Sequence, residues 1–185
     1  MSEFRNPLQS EFDILYVVWD RIKKEGWRPG PYMEEPDYIK LLHKRTKYIC
    51  YIKRTPFIGS LCGYVEVNRN HAMYERDYMN LPPGDCAHGG VTFSGHRSDI
   101  RKRKKRWSYG FDCAHAYDFP PAIEYQMRTF HDALGDPFPH LPPLFSGTME
   151  SYRDVTYVMK VIDEMAIWMD RVDETVKWAN GDNDE

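Results

Sequence analysis

His88, Asp112, His115 and Asp118 are the side chains of this sequence best suited to chemistry, and they fall in two short segments, "HGGVTFSG" (88–95) and "YGFDCAHAYD" (109–118). Imidazole beside carboxylate is what a general acid–base pair or a divalent metal site requires. All four are therefore candidate metal ligands, and His88, Asp112 and His115 are the candidate catalytic groups if the chain is an enzyme. Their spacing matches no strong metal signature. In a regular strand Asp112 and His115 point to opposite faces, so they meet one ligand only if the strand ends or bulges near Cys113. The plainer reading is an Asp–His hydrogen bond or cap at a strand end.

The glycines of the first segment add a second expectation. Gly89 and Gly90 weaken a strand, so a close approach to the backbone should require them. Backbone N–H groups there, with the Thr92 and Ser94 hydroxyls, would cradle a phosphate or carboxylate. A tight entry to the strand explains the same glycines. His71, in "NRNHAMYERDY", and Arg153, before the last helical stretch, complete the candidate ligand-binding set.

From Arg97 to Arg106 seven basic residues face one acidic residue, Asp99, in a chain of net charge −3, so the remainder sums to about −9. Such a run attracts polyanions; nucleic acid would be met only through Arg101–Arg106. A solvated loop is the plainer account. Walker, dinucleotide-fingerprint, nucleophile-elbow and H-E-x-x-H motifs are absent. Cys50, Cys62, Cys86 and Cys113 form no C-x-x-C pair and read as buried reduced thiols, although Cys50 and Cys62 could face each other across a hairpin. Cys113 and His115 are poorly spaced for a nucleophile pair. No stretch reads as a signal sequence or membrane span, so the expected setting is cytoplasmic.

These side chains need a scaffold. Leu15, Val18, Trp19 and Ile22 recur at helical spacing, which predicts a first helix over about 11–24. A short helix is expected over 37–43. "KYICYIKR" and "SLCGYVEV" flank a Pro/Gly connection and predict a hairpin. "GGVTFS" and "RWSYGFDC" supply two more strands, with the basic run as a polar connection. A short helix is expected over 122–133 within a long proline-rich wrap. The apolar stripe Val155, Val158, Met159, Ile162, Met165, Met169, Val172 and Val176 predicts a long final helix. Ser151 and Asp154 have capping-box spacing at its start, and Asn180–Gly181 suits its end.

The expected fold is thus α+β: an antiparallel sheet of about four strands with an N-terminal and a long C-terminal helix on one face. Residues 1–180 form one domain and 181–185 an acidic tail. Strand alternation assigns Leu61, Val65, Val67, Val91, Phe93, Trp107, Tyr109 and Phe111 to the core face. The polar face then carries Tyr64, Glu66, His88, Gly90, Thr92, Ser94, Ser108, Gly110 and Asp112.

Together with "CGYVEV…H" before them and "YRDVTYVMKVIDEMA" after, the two segments resemble a family of small uncharacterised tailed-bacteriophage and prophage proteins, over about residues 59–166. The motif positions are His71, His88, Gly89, Gly90, Thr92, Ser94, Asp112, His115, Asp118, Tyr152, Arg153 and Asp154. The resemblance implies an infected bacterial cytoplasm and no particular activity; the insert "RKRKKR" is peculiar to this sequence. Three functions fit. The first is a protein that captures a nucleotide-like or phosphorylated ligand on the polar sheet face, for instance as a sponge against host defence signalling. The second is a metal-dependent or His/Asp hydrolase of a phosphodiester-like bond. The third is a protein–protein inhibitor or accessory protein. No cofactor is required, a divalent metal apart.

Overall fold

A computed structural model of the chain describes residues 4–84, 86–99, 102–135 and 151–181. The predicted proline-rich wrap over 119–145 lies outside the described residues from 136 onward, as does the acidic tail after Gly181.

Six antiparallel strands form one sheet: β1 (Phe12–Val18), β2 (Tyr38–His43), β3 (Ile49–Arg54), β4 (Leu61–Val67), β5 (Phe93–Asp99) and β6 (Lys102–Asp112). Their order is β1-β2-β3-β4-β6-β5. Two helices follow, α1 (Pro121–Leu134) and α2 (Val155–Asn180). The α+β class is as expected, but the sheet has six strands rather than four.

Both extra strands stand where helices were expected. In β1 the residue pairs Ile14↔Leu41 and Tyr16↔Lys40 leave Leu15 as a bulge. The bulge breaks the two-residue alternation, so Phe12, Ile14 and Val17 face the core at a spacing that no longer looks like a strand. β2 alternates cleanly, with Ile39 and Leu41 buried in the core and Tyr38 and Lys40 on the other face. A six-residue apolar run cannot be told from a helical turn by periodicity alone.

The core lies between one sheet face and α2. Ile39, Leu41, Cys50, Ile52, Leu61, Val65, Tyr109 and Phe111 meet Val158, Met159, Ile162, Met165 and Met169. Gly63 permits this approach, because a Cβ there would sit 2.5 Å from the Phe111 ring and 2.9 Å from Ile162. Side-chain ties fix the register of α2 on the sheet: His43 Nε2 lies 2.8 Å from Asp163 Oδ1, and the Ala72 amide donates to Asp173 Oδ1 at 2.7 Å. Asp154 itself caps α2, its carboxylate accepting from the Tyr157 amide at 2.7 Å, in place of a Ser151 capping box. Gly181 ends the helix in the left-handed conformation.

α1 packs at the end of the sheet instead, through a second cluster of Trp27, Tyr32, Phe119, Ala122 and Tyr152. Beneath that cluster Arg54 is fully buried and forked between carboxylates. Its Nε donates to Asp37 Oδ1 and its Nη2 to Glu35 Oε2, both at 2.9 Å, and Nη1 reaches the Tyr152 hydroxyl at 2.6 Å. Glu35 Oε1 in turn accepts from the Val155 amide at 2.9 Å, which anchors the first turn of α2.

β5 corrects the predicted face assignment. Phe93 pairs with Gly110 and Ser94 with Tyr109, so Phe93 joins the outer face and Ser94 the core side. That outer face is aromatic and cationic around Tyr64: Arg97 stacks 3.4 Å from its ring centroid and Phe93 meets it edge-on at 5.7 Å. A Cβ on Gly110 would lie 2.3 Å from the Tyr64 ring, so this glycine makes room for Tyr64.

Candidate functional site

The polypeptide enters β5 through a turn at Ala87–Gly90, closed by Gly90 N–H to the Ala87 carbonyl at 2.9 Å. Gly89 and Gly90 both have positive φ, 67° and 91°, which L-residues rarely adopt. At Gly89 the lack of a side chain serves a second purpose. A Cβ there would lie 2.2 Å from His115 Nε2, so the glycine leaves the space that the His115 ring occupies.

The second segment meets this turn because β6 ends at Asp112. Asp112 Oδ1 accepts the Ala114 amide at 3.1 Å, and the Asp118 amide donates to the His115 carbonyl at 2.9 Å, so the backbone doubles back. That reversal carries His115 and Asp118 to His88. Donor atoms of the three side chains all lie within 4.8 Å of one another.

Asp118 is the hub and is almost wholly buried, at 2% exposure. Its Oδ2 accepts from His88 Nε2 at 2.7 Å and from the His115 amide at 3.0 Å, while Oδ1 accepts from Arg153 Nε at 3.0 Å. Burial works against its charge, but the bonds from His88, the His115 amide and Arg153 outweigh it and hold the carboxyl below its ordinary value. Because the carboxylate only accepts, the neutral His88 ring carries its proton on Nε2. Its Nδ1 then accepts from the Tyr157 hydroxyl, 2.8 Å away on α2. Arg153 also lies 4.9 Å from the centroid of the Tyr157 ring.

His115 is the member without a full set of partners. Its Nδ1 is 3.4 Å from Asp118 Oδ2 but poorly aligned, and this buried atom has no hydrogen-bond partner among the described residues. Its side chain is 38% exposed, against 14% for His88, so the cluster opens to solvent on the His115 side. Beside it runs a groove of about 310 Å³ lined by Cys86, Ala87, His88, Gly89, Tyr157, Val161 and Glu164.

His88, Gly89, His115, Asp118 and Arg153 thus come together, but against α2 rather than on the polar sheet face. The phosphate cradle does not assemble. The Gly90 amide closes the turn, the Thr92 amide donates to the Gly110 carbonyl at 2.9 Å, and the Thr92 hydroxyl donates to Asp112 Oδ2 at 3.2 Å. Ser94 Oγ accepts the Tyr78 amide at 2.9 Å. Asp112 shapes the turn and stands outside the cluster of ligand atoms. Tyr157 and Glu164 carried no expectation. Their signal was placement, since Tyr157 follows Arg153 by four residues and Glu164 lies two helical turns further on. All four cysteines are buried and in no disulfide; burial pushes the Cys113 thiol above its ordinary value, which leaves it a poor nucleophile.

His71 serves the fold. It is 4% exposed, its Nε2 donates to the Met169 carbonyl at 3.2 Å, and its Nδ1 accepts the Met73 amide at 3.0 Å. These bonds select the neutral ring, and burial lowers its pKa despite the nearby Asp173 carboxylate. A folded pKa below the unfolded value means that the stabilisation is present above about pH 6.5 and is lost as pH falls. Urea unfolding at pH 7 and pH 5 should show the wild type losing more stability than His71→Gln, by at most about 1.4 kcal/mol per pH unit. Equal losses would remove His71 from this role.

Among the described residues, no helix is long and apolar enough to cross a membrane. Neither protein-family models, nor curated proteins, nor solved structures give a match to this chain.

Proposed function

We propose that the chain is a metal-dependent hydrolase of a phosphodiester-like bond, with a divalent ion held by His88, His115 and Asp118. The observation that carries this reading is the convergence of two imidazoles and one carboxylate, with one imidazole nitrogen lacking a hydrogen-bond partner among the described residues. Two histidines and a carboxylate are a donor set of catalytic zinc sites, which keep a fourth position for water, whereas structural sites use four protein ligands. A bound ion would supply a water acidic enough to ionise near neutral pH.

The surroundings support the same assignment. With Nε2 given to a metal, His88 would carry its proton on Nδ1 and donate it to Tyr157, an orienting partner of the kind metal-bound histidines require. The Tyr157 hydroxyl proton is then available to a ligand in the groove. Arg153 holds Asp118 through Nε, and its Nη groups make no hydrogen bond among the described residues, which suits a phosphate oxygen. In hydrolysis, water adds across the P–O ester bond and the departing oxygen takes up a proton. A capture protein relying on Gly90, Thr92 and Ser94 is less well supported, since those donors and hydroxyls are engaged elsewhere. The bacteriophage setting rests on the sequence resemblance.

The test starts from chelator-treated protein titrated with Zn²⁺ and Mn²⁺ against a chromophoric competitor. One equivalent should bind, His115→Ala should weaken binding by at least about 100-fold, and cleavage of bis(p-nitrophenyl) phosphate should depend on the metal. No metal binding, or equal binding by the variant, would overturn the site. Metal binding with stoichiometric retention of a phosphorylated compound and no turnover would overturn the hydrolase in favour of a binding role.

A further inference from the structure

The strands that carry the candidate site at one end carry the basic run at the other. The sequence suggested a loop there, but β5 extends to Asp99 and β6 starts at Lys102, which makes the basic segment a hairpin. β4 accompanies β6 only as far as the pair Val67↔Trp107. Beyond Trp107 the pairs Arg97↔Arg106, Ser98↔Lys105 and Asp99↔Lys102 give β6 a single strand neighbour, β5, among the described residues. The basic run is therefore a two-stranded ribbon continuing past the sheet.

Its base is pinned. His96 meets the Trp107 ring edge-on at 5.3 Å, Arg97 stacks on Tyr64, and Arg106 Nη1 reaches Glu66 Oε1 at 3.0 Å. In the sequence, Arg101, Lys102, Arg103, Lys104 and Lys105 are consecutive cations, and Asp99 is the one acidic residue between Arg97 and Arg106. Such a density of like charge opposes the folded hairpin unless an anionic surface meets it.

We infer that the hairpin of β5 and β6 is an arm that seats in the major groove of duplex DNA, contacting phosphates without reading sequence. The B-form major groove is about 12 Å wide and admits a two-stranded ribbon. The deep, narrow groove of duplex RNA does not. The run 101–105 holds no aromatic residue on which a single strand could stack. The remainder of the chain is acidic, so attraction to DNA has to come from this arm. The inference stands apart from the metal site.

Fluorescence anisotropy of the full chain with a labelled DNA duplex, over a salt series, tests it. Binding at about 50 mM salt should fall with a log–log slope of about −4 to −5, as five cations require. Lys102→Thr, Arg103→Thr, Lys104→Thr and Lys105→Thr together should reduce affinity by at least about 30-fold and flatten the slope to about −1. The triple variant Lys102→Arg, Lys104→Arg and Lys105→Arg should retain binding, and neither variant should melt below the wild type. No binding by the wild type, or binding unchanged in the threonine variant, would overturn the arm. Equal affinity for duplex RNA or for poly-glutamate would overturn the groove assignment.

Discussion

Arg54→Ala should destabilise the fold by about 3–5 kcal/mol, the usual consequence of removing one partner from a buried ionic network. Arg54 and Asp37 are fully buried, and the guanidinium contacts Asp37, Glu35, the Gly59 carbonyl and the Tyr152 hydroxyl. Burial opposes its charge, but Tyr152 and Glu35 outweigh that and raise its pKa above the ordinary value. Without it, Asp37 keeps Lys24 and the Ile22 amide, each 2.9 Å away, and Glu35 loses its guanidinium partner. Urea unfolding followed by circular dichroism measures the effect. A loss below about 1 kcal/mol would place the arginine outside the stabilising framework. In Arg54→Met, adding Asp37→Asn and Glu35→Gln should recover part of the loss; no recovery would mean that the uncompensated carboxylates are not its cause.

The consequence extends to the candidate site. Glu35 holds both the Tyr152 hydroxyl, at 2.6 Å, and the Val155 amide, so the network sets the start of α2. Arg153 lies between those anchors, and Tyr157 one turn beyond. A partly folded Arg54 variant should therefore lose metal affinity as well as stability.

The long helix was legible because its stripe repeats undisturbed over many turns and its ends carry a cap and a glycine. The β3–β4 hairpin was legible from its composition and turn. β1 was not, since one bulge at Leu15 changed the spacing of its apolar residues. The site was legible in its residue types, and four of its members, His88, His115, Asp118 and Arg153, were singled out. Its location was not. Treating 88–94 as strand put His88 with Thr92 and Ser94, whereas the turn at Gly89–Gly90 sends His88 toward α2 and shifts the parity of β5. The reversal after Asp112 depends on side-chain-to-backbone bonds that alternation does not encode.

Asp118→Asn decides between the two readings that the sequence left open, a hydrogen-bonded strand end and a metal centre. Both predict a less stable protein. The carboxylate accepts from three donors, and an amide in its place turns an NH2 toward either Arg153 or the His88 and His115 pair. Hydrogen bonds to charged groups contribute about 1.5–3 kcal/mol each, so chelator-treated Asp118→Asn should lose at least about 2 kcal/mol. The readings part when metal is added. If Asp118 only orients His88, the variant should still bind Zn²⁺ to within about 100-fold of the wild type, as outer-sphere partners allow. If Asp118 is a ligand, affinity should fall at least about 100-fold, and Zn²⁺ should raise the melting temperature of the wild type alone. Arg153→Gln separates the roles further, because Arg153 touches Asp118 without belonging to the converging donor set. It should weaken the metal about tenfold and leave the stoichiometry at one. Wild-type affinity in both Asp118→Asn and His115→Ala would return this cluster to a strand-end cap, with His88 and His115 there for packing.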